Sequence, residues 1–222
     1  MSRPSTASLI SQLARDLQPV RRVPPLRKVG LGLLAVWGVG VALSWSVGGV
    51  QPRLTEPGGL SDPTFAAIFA GLCIAGVGGG VATLARAVPG RERLARLGLG
   101  LLFGGFAVVA GFAVFGWLAG GAGASVPPAR TASCAAHAAV LGVTPALLGF
   151  AWLARAWEAR PGFGAAVAGL GAAALGSCAV HASCITGDGL HVLVGHALGP
   201  AGVAVVLASG GAWWIARRTA AA

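Results

Sequence analysis

Six apolar runs without a single Asp, Glu, Lys or Arg leave this 222-residue chain few ways to fold. They cover approximately residues 29–50, 64–85, 97–120, 132–154, 163–185 and 190–214. Each reaches the length of about 20 residues that a helix needs to cross the hydrocarbon of a bilayer. In lipid a segment must satisfy its own backbone hydrogen bonds, which leaves helices and closed barrels. Strand-like alternation is absent, so a barrel is disfavoured. The expected fold is therefore an all-α integral membrane protein, a six-transmembrane-helix bundle. Residues 1–28 form a short cytoplasmic amphipathic segment and 29–222 the membrane domain.

Charge supports the same reading. Only 10% of residues are charged, against about a quarter in soluble domains. The formal charge of +10 does not point to nucleic acid, because the basic residues sit in short clusters between the apolar runs. Fourteen of the sixteen fall on one side of the expected topology: Arg3, Arg15, Arg21, Arg22, Arg27, Lys28, Arg86, Arg91, Arg93, Arg96, Arg155, Arg160, Arg217 and Arg218. Arg53 and Arg130 are left for the other side, beside Glu56, Asp62 and Asp188. By the positive-inside rule both termini are cytoplasmic, in a bacterial inner membrane. The first 28 residues are polar and basic, and the first apolar run is too long for a cleavable signal core, so it is expected to stay as an anchor.

The N-terminal segment places Leu9, Ile10, Leu13 and Leu17 on one helical stripe. Pro19, Pro24 and Pro25 then stop the helix and stiffen the connection to the membrane. Such a stripe suits either the inner leaflet or a cytosolic partner. Glycine is abundant, with 37 residues. The pairs Gly76/Gly80, Gly100/Gly104, Gly116/Gly120 and Gly195/Gly199 have the spacing of close helix contacts. Trp45, Trp117, Trp152, Trp213 and Trp214 lie near span ends, as interfacial anchors do.

Against this background the reactive side chains stand out. Cys134 and His137 lie at the outer end of the fourth span. Cys178, His181 and Cys184 lie in the outer part of the fifth, Asp188 is in the turn, and His191 opens the sixth. His196 is more than one turn deeper, and Cys73 sits mid-span in the second, where a small buried apolar side chain is the expected role. At about 100° per residue, Cys178, His181 and Cys184 share one helix face. Polar groups in hydrocarbon are costly, so a cluster of them calls for a function. A disulfide from Cys134 to Cys178 or Cys184 would suit an oxidising periplasm. A copper or zinc ion held among Cys134, His137, Cys178, His181, Cys184 and His191 would suit thiolate and imidazole ligands. Thiol-exchange catalysis is disfavoured, because no Cys-x-x-Cys exists. No nucleotide loop or Ser-His-Asp set is visible, and the expected reading is a sensor or anchor and not an enzyme.

Leu9-Ile-Ser-Gln-Leu-Ala-Arg-Asp-Leu-Gln-Pro-Val20 resembles the leucine-rich cytoplasmic start of the NrsF-type family of six-span bacterial membrane anti-sigma factors, to which CarR-like regulators are functionally akin. Cys134 with Pro145 eleven residues on is similar to that family's fourth-span cysteine. Cys184, followed by a short acidic turn and Leu198-Gly199, is similar to its second cysteine. Cys178, His181 and His191 are additions to the pattern, and they leave thiol oxidation and metal binding both open as the signal. The resemblance implies a protein that holds an extracytoplasmic-function (ECF) sigma factor at the inner membrane and releases it under envelope stress. It implies Cys134 and Cys184 as sensing residues, and Cys178, on the same helix face as Cys184, is expected to join them from its spacing alone. It implies the N-terminal segment, with its stripe of Leu9, Ile10, Leu13 and Leu17, as the docking element for a cytoplasmic sigma factor, with the 86–96 loop as a further candidate. The stripe itself makes lipid the other partner, and the clustering of the basic residues speaks against direct nucleic-acid contact.

Overall fold

The computed structural model describes residues 6, 10–11, 24–48, 59–120, 126–155, 160–184 and 188–220. Leu9, Leu13 and Leu17 of the N-terminal stripe, and Arg53 and Glu56, lie outside them. Six long helices are described: α1 (Leu26–Gly48), α2 (Pro63–Arg86), α3 (Glu92–Gly120), α4 (Pro128–Leu153), α5 (Pro161–His181) and α6. The last is one continuous rod in three pieces, Gly189–His191, Val192–Leu198 and Gly199–Ala220. All six are long and apolar enough to cross a membrane, and no strand occurs among the described residues. Leu31, Val39, Leu43, Phe115, Leu118, Val140 and Val206 are exposed on the outside, the reverse of a water-soluble surface.

The helix starts follow local chemistry. The Asp62 carboxylate accepts from the amides of Thr64 (2.9 Å) and Phe65 (3.2 Å), with Pro63 at the first helical position. These are preferred N-cap and N1 residues. α2 ends at Arg86 and α3 starts at Glu92, five residues ahead of the apolar run at 97, so Arg93 and Arg96 are helical. Gly90 makes the turn between them possible with φ +79°, a region that costs little only for glycine.

The helices alternate in direction, and α5 is the hub. It is buried nearly all round and packs against α2, α4 and α6, while α2 pairs along its length with α3. Glycines set these distances. A Cβ on Gly176 of α5 would meet the backbone of Ala138 and Gly142 in α4. Gly171 and Gly79 face each other across α5 and α2, and a Cβ on Gly169 would stand 3.0 Å from the Ala204 carbonyl oxygen of α6. Along α2 and α3 the contact glycines are Gly71, Gly78, Gly98 and Gly105, two pairs spaced by seven residues, as a long antiparallel seam requires.

Two expectations change here. Gly80, Gly100 and Gly104 have open space where a Cβ would stand. On α3 the inward face runs through Leu102, Gly105, Val109 and Ala113, so the four-residue glycine spacing at 100 and 104 falls on the outward face of the bundle. By contrast Gly76 does meet Leu175, and Gly195 and Gly199 do meet α4. Trp152 is not an interfacial residue. It is buried, and its indole N–H donates to the Leu84 carbonyl at 3.3 Å, which ties α4 to the last turns of α2. Trp213 is exposed, with the Arg217 guanidinium 4.3 Å from its ring centroid, as an anchor residue would be.

Candidate functional site

The end of the bundle where α4 and α6 start and α5 finishes collects nearly all the reactive side chains. Two devices bring them together. After His181 the chain leaves α5 through tight turns: Ala182 N–H donates to Cys178 O (3.0 Å), Ser183 N–H to Val180 O (3.1 Å) and Cys184 N–H to His181 O (3.1 Å). These carry Cys184 off the end of the helix. Asp188 then caps α6, accepting from the amides of Leu190 (3.2 Å) and His191 (3.3 Å). The acidic residue of the turn therefore fixes where His191 begins its helix.

α6 does not continue as a regular α-helix. Residues Val192–Leu198 form a π-helical stretch. In an α-helix, residues five apart point about 140° away from each other. In a π-helix the hydrogen bonds run from i to i+5, so residues five apart come onto one face. His191 and His196 are thereby aligned, with ring centroids 5.2 Å apart. Such stretches are rare and are frequently found at functional sites. Gly195 and Gly199 sit on this segment. A Cβ at Gly199 would lie 2.8 Å from Ala135 Cβ, and one at Gly195 would lie 3.6 Å from Cys134 Cβ. The missing side chains let α6 come close to α4 at the level of Cys134.

The ligand atoms of Cys134, Cys184, His191 and His196 all lie within 4.8 Å of one another. Cys184 Sγ is 3.4 Å from His191 Nε2, and the Thr131 hydroxyl is 3.0 Å from His191 Nδ1. His196 is 0% exposed, and neither of its ring nitrogens has a hydrogen-bond partner. An imidazole so placed is costly in an apolar interior. A cavity of about 250 Å³ lies beside the group, lined by Ser44, Trp45, Cys134, His137, Leu141, Val180, Ser183 and Cys184. It gives the two thiols access to the end of the bundle.

The other sequence candidates divide around this group. His137 is exposed and one turn along α4, with its Nδ1 2.8 Å from the Ser133 carbonyl. It lines the cavity but does not join the four ligand atoms. Cys178 lies deeper, with its Sγ 2.9 Å from that of Cys73. Cys73 is therefore one half of a close thiol pair and not simply a small apolar residue. His181 is buried in a row of rings: Phe65 stacks on it at 4.7 Å, and His196 meets it edge-on at 5.3 Å. His196 and Cys73 are the residues that spacing did not place. An i, i+5 histidine pair carries no signal under helical periodicity, and a cysteine alone in its span shows no partner. Ile10, the described member of the N-terminal stripe, is helical and exposed.

No curated protein and no solved structure matches the chain. A family match does, over residues 13–218: the family described as NrsF, negative regulator of sigma F. It covers all six helices and the Cys/His end together, and with it the chain belongs to the NrsF family, as a multi-pass membrane member built from six apolar helices.

Proposed function

We propose that the protein is a membrane anti-sigma factor that sequesters an extracytoplasmic-function sigma factor at the bacterial inner membrane and releases it when the Cys/His end registers an envelope stress. The observation that carries this reading is the family match across residues 13–218. Both termini and the Ala87–Arg91 turn face the cytoplasm, and the Cys134/Cys184 end faces the periplasm. The 14-to-2 division of basic residues supports that orientation. Reporter fusions at Arg93 are expected to be active only as cytoplasmic reporters. Periplasmic activity there would invert the topology and remove the sensing end from the envelope.

The sigma factor docks on the stripe of Leu9, Ile10, Leu13 and Leu17. A helix this short is unstable alone, so it needs a surface to bury against, and bilayer and sigma factor compete for it. Each leucine is worth about 1.5–3 kcal/mol gross when buried, less the cost of ordering the segment. The resulting hold is firm but reversible. The Leu13→Asp, Leu17→Asp double variant is expected to insert normally, to lose the co-purifying sigma factor and to switch on its genes without stress. Retention of the sigma factor by that variant would move the docking site to the Arg86–Arg96 region.

A second reading, a metal-handling membrane protein for copper or zinc, is favoured by the convergence of Cys134, Cys184, His191 and His196. It predicts an altered metal content of cells lacking the protein with no change in sigma-dependent transcription.

A further inference from the structure

We propose that Cys134, Cys184, His191 and His196 form a closed, four-coordinate site for a divalent thiophilic d10 cation, with Zn²⁺ as the probe ion. Binding as such does not need the anti-sigma reading, but its role as a signal rests on it. Three independent features point to an ion. The donor set is two thiols and two imidazoles, the composition of tetrahedral zinc sites. His196 is fully buried with both ring nitrogens lacking a hydrogen-bond partner, which an ion would satisfy. The π-helical stretch Val192–Leu198 places His191 and His196 on one face, and an ordinary α-helix would not.

The geometry is close to what the ion needs. Zn–S and Zn–N bonds of about 2.3 and 2.0–2.1 Å put the donors of a tetrahedral site about 3.3–3.8 Å apart. Cys184 Sγ and His191 Nε2 are already 3.4 Å apart, and the whole group spans at most 4.8 Å. Closing on an ion therefore draws α4, the turn after α5 and α6 together by roughly 1 Å. Thr131 completes the arrangement. Its hydroxyl lies 3.0 Å from His191 Nδ1, and with the ion bound it would accept from Nδ1–H and hold the tautomer that leaves Nε2 for the ion. The cavity along Cys134 and Cys184 is the way in.

Charge balance selects the ion. Two thiolates and two neutral imidazoles around a divalent cation sum to zero. The same ligands around Cu⁺ leave one negative charge in an apolar setting, which is unfavourable. Binding converts two thiols to thiolates, so each cation taken up releases two protons.

The test uses the full chain purified in detergent and stripped with a chelator. Zn²⁺ titration is expected to give one ion per chain with two protons released, and Co²⁺ to give thiolate-to-cobalt charge-transfer absorption of a tetrahedral site. Cys134→Ser, Cys184→Ser and His196→Ala are expected to lose the ion, with affinity down about 100-fold or more. His137→Ala and Cys73→Ala are expected to bind as the wild type does. Thr131→Val, which removes only the hydroxyl on His191, serves where His196→Ala fails to fold and is expected to weaken binding about 10–100-fold. The site is refuted by absence of Zn²⁺ and Co²⁺ binding in the wild type, by unchanged binding in His196→Ala or Thr131→Val, or by binding of Cu⁺ alone. A chain that captures its sigma factor but takes no Zn²⁺ refutes the site and leaves the regulator. One that takes Zn²⁺ as described and captures no sigma factor leaves the site and refutes the regulator.

Discussion

Gly176→Leu is expected to prevent the bundle from assembling. A Cβ at this position already runs into the Ala138 carbonyl oxygen of α4 and lies 2.9 Å from Gly142 N. These are backbone atoms, which cannot rotate away as a side chain tip would. Overfilling an ordinary core costs about 1–3 kcal/mol. Here a whole helix must retreat, and α5 is the one that touches α2, α4 and α6, so the loss should reach the upper end of that range or exceed it. Gly79→Leu, opposite Gly171, should behave alike. Gly104→Leu, with nothing within 4 Å of the added Cβ, is the control and should leave the melting temperature in detergent unchanged. Equal melting temperatures for the Gly176 and Gly104 variants would mean that α5 is not the centre of the bundle.

The second large effect concerns signalling. On the proposed function, the Cys134→Ser, Cys184→Ser double variant inserts into the membrane but no longer responds. Both thiols stand at one end of the bundle, one half-buried and one buried, and serine nearly matches their volume. The cost in stability should stay near that of burying a hydroxyl, about 1–3 kcal/mol. The response is another matter. A coupling of about 1–3 kcal/mol between the Cys/His end and the docking segment gives roughly a 5–150-fold induction. Without the thiols that ratio should fall to about 1. Transcription from a sigma-dependent promoter, with and without added Zn²⁺ or a thiol oxidant, measures it. Full induction in the double variant would take the sensing role away from these cysteines.

Much of the architecture was legible from the chain. The six helices follow from uninterrupted apolar runs, because the need to satisfy backbone groups in lipid acts on each segment by itself. Their alternation follows from each run being long enough to cross the bilayer once, so that consecutive spans return in opposite directions. The gathering of Cys134, Cys184 and His191 at one end follows from depth alone, since each lies near the same end of its own span. Less legible was which glycines carry the contacts. Spacing marks Gly100 and Gly104 as readily as Gly98 and Gly105, but only the second pair faces α2. Sequence spacing says that two residues share a face and not which neighbour the face meets.

What the sequence by itself determined is thus the set of properties that belong to one segment at a time: helix, length, direction and the depth of each side chain. Tertiary structure alone decided how the reactive groups are divided. It joined Cys73 to Cys178, put His181 into a stack with Phe65, kept His137 out of the four-residue group and brought His196 in. The reason is rotational phase. Whether side chains on different helices converge depends on how each helix is turned about its axis, and that is set by close contacts such as Gly195 and Gly199 on α4. Within α6 the π-helical stretch shifts the phase between His191 and His196, and no periodicity read from an ordinary helix contains that shift.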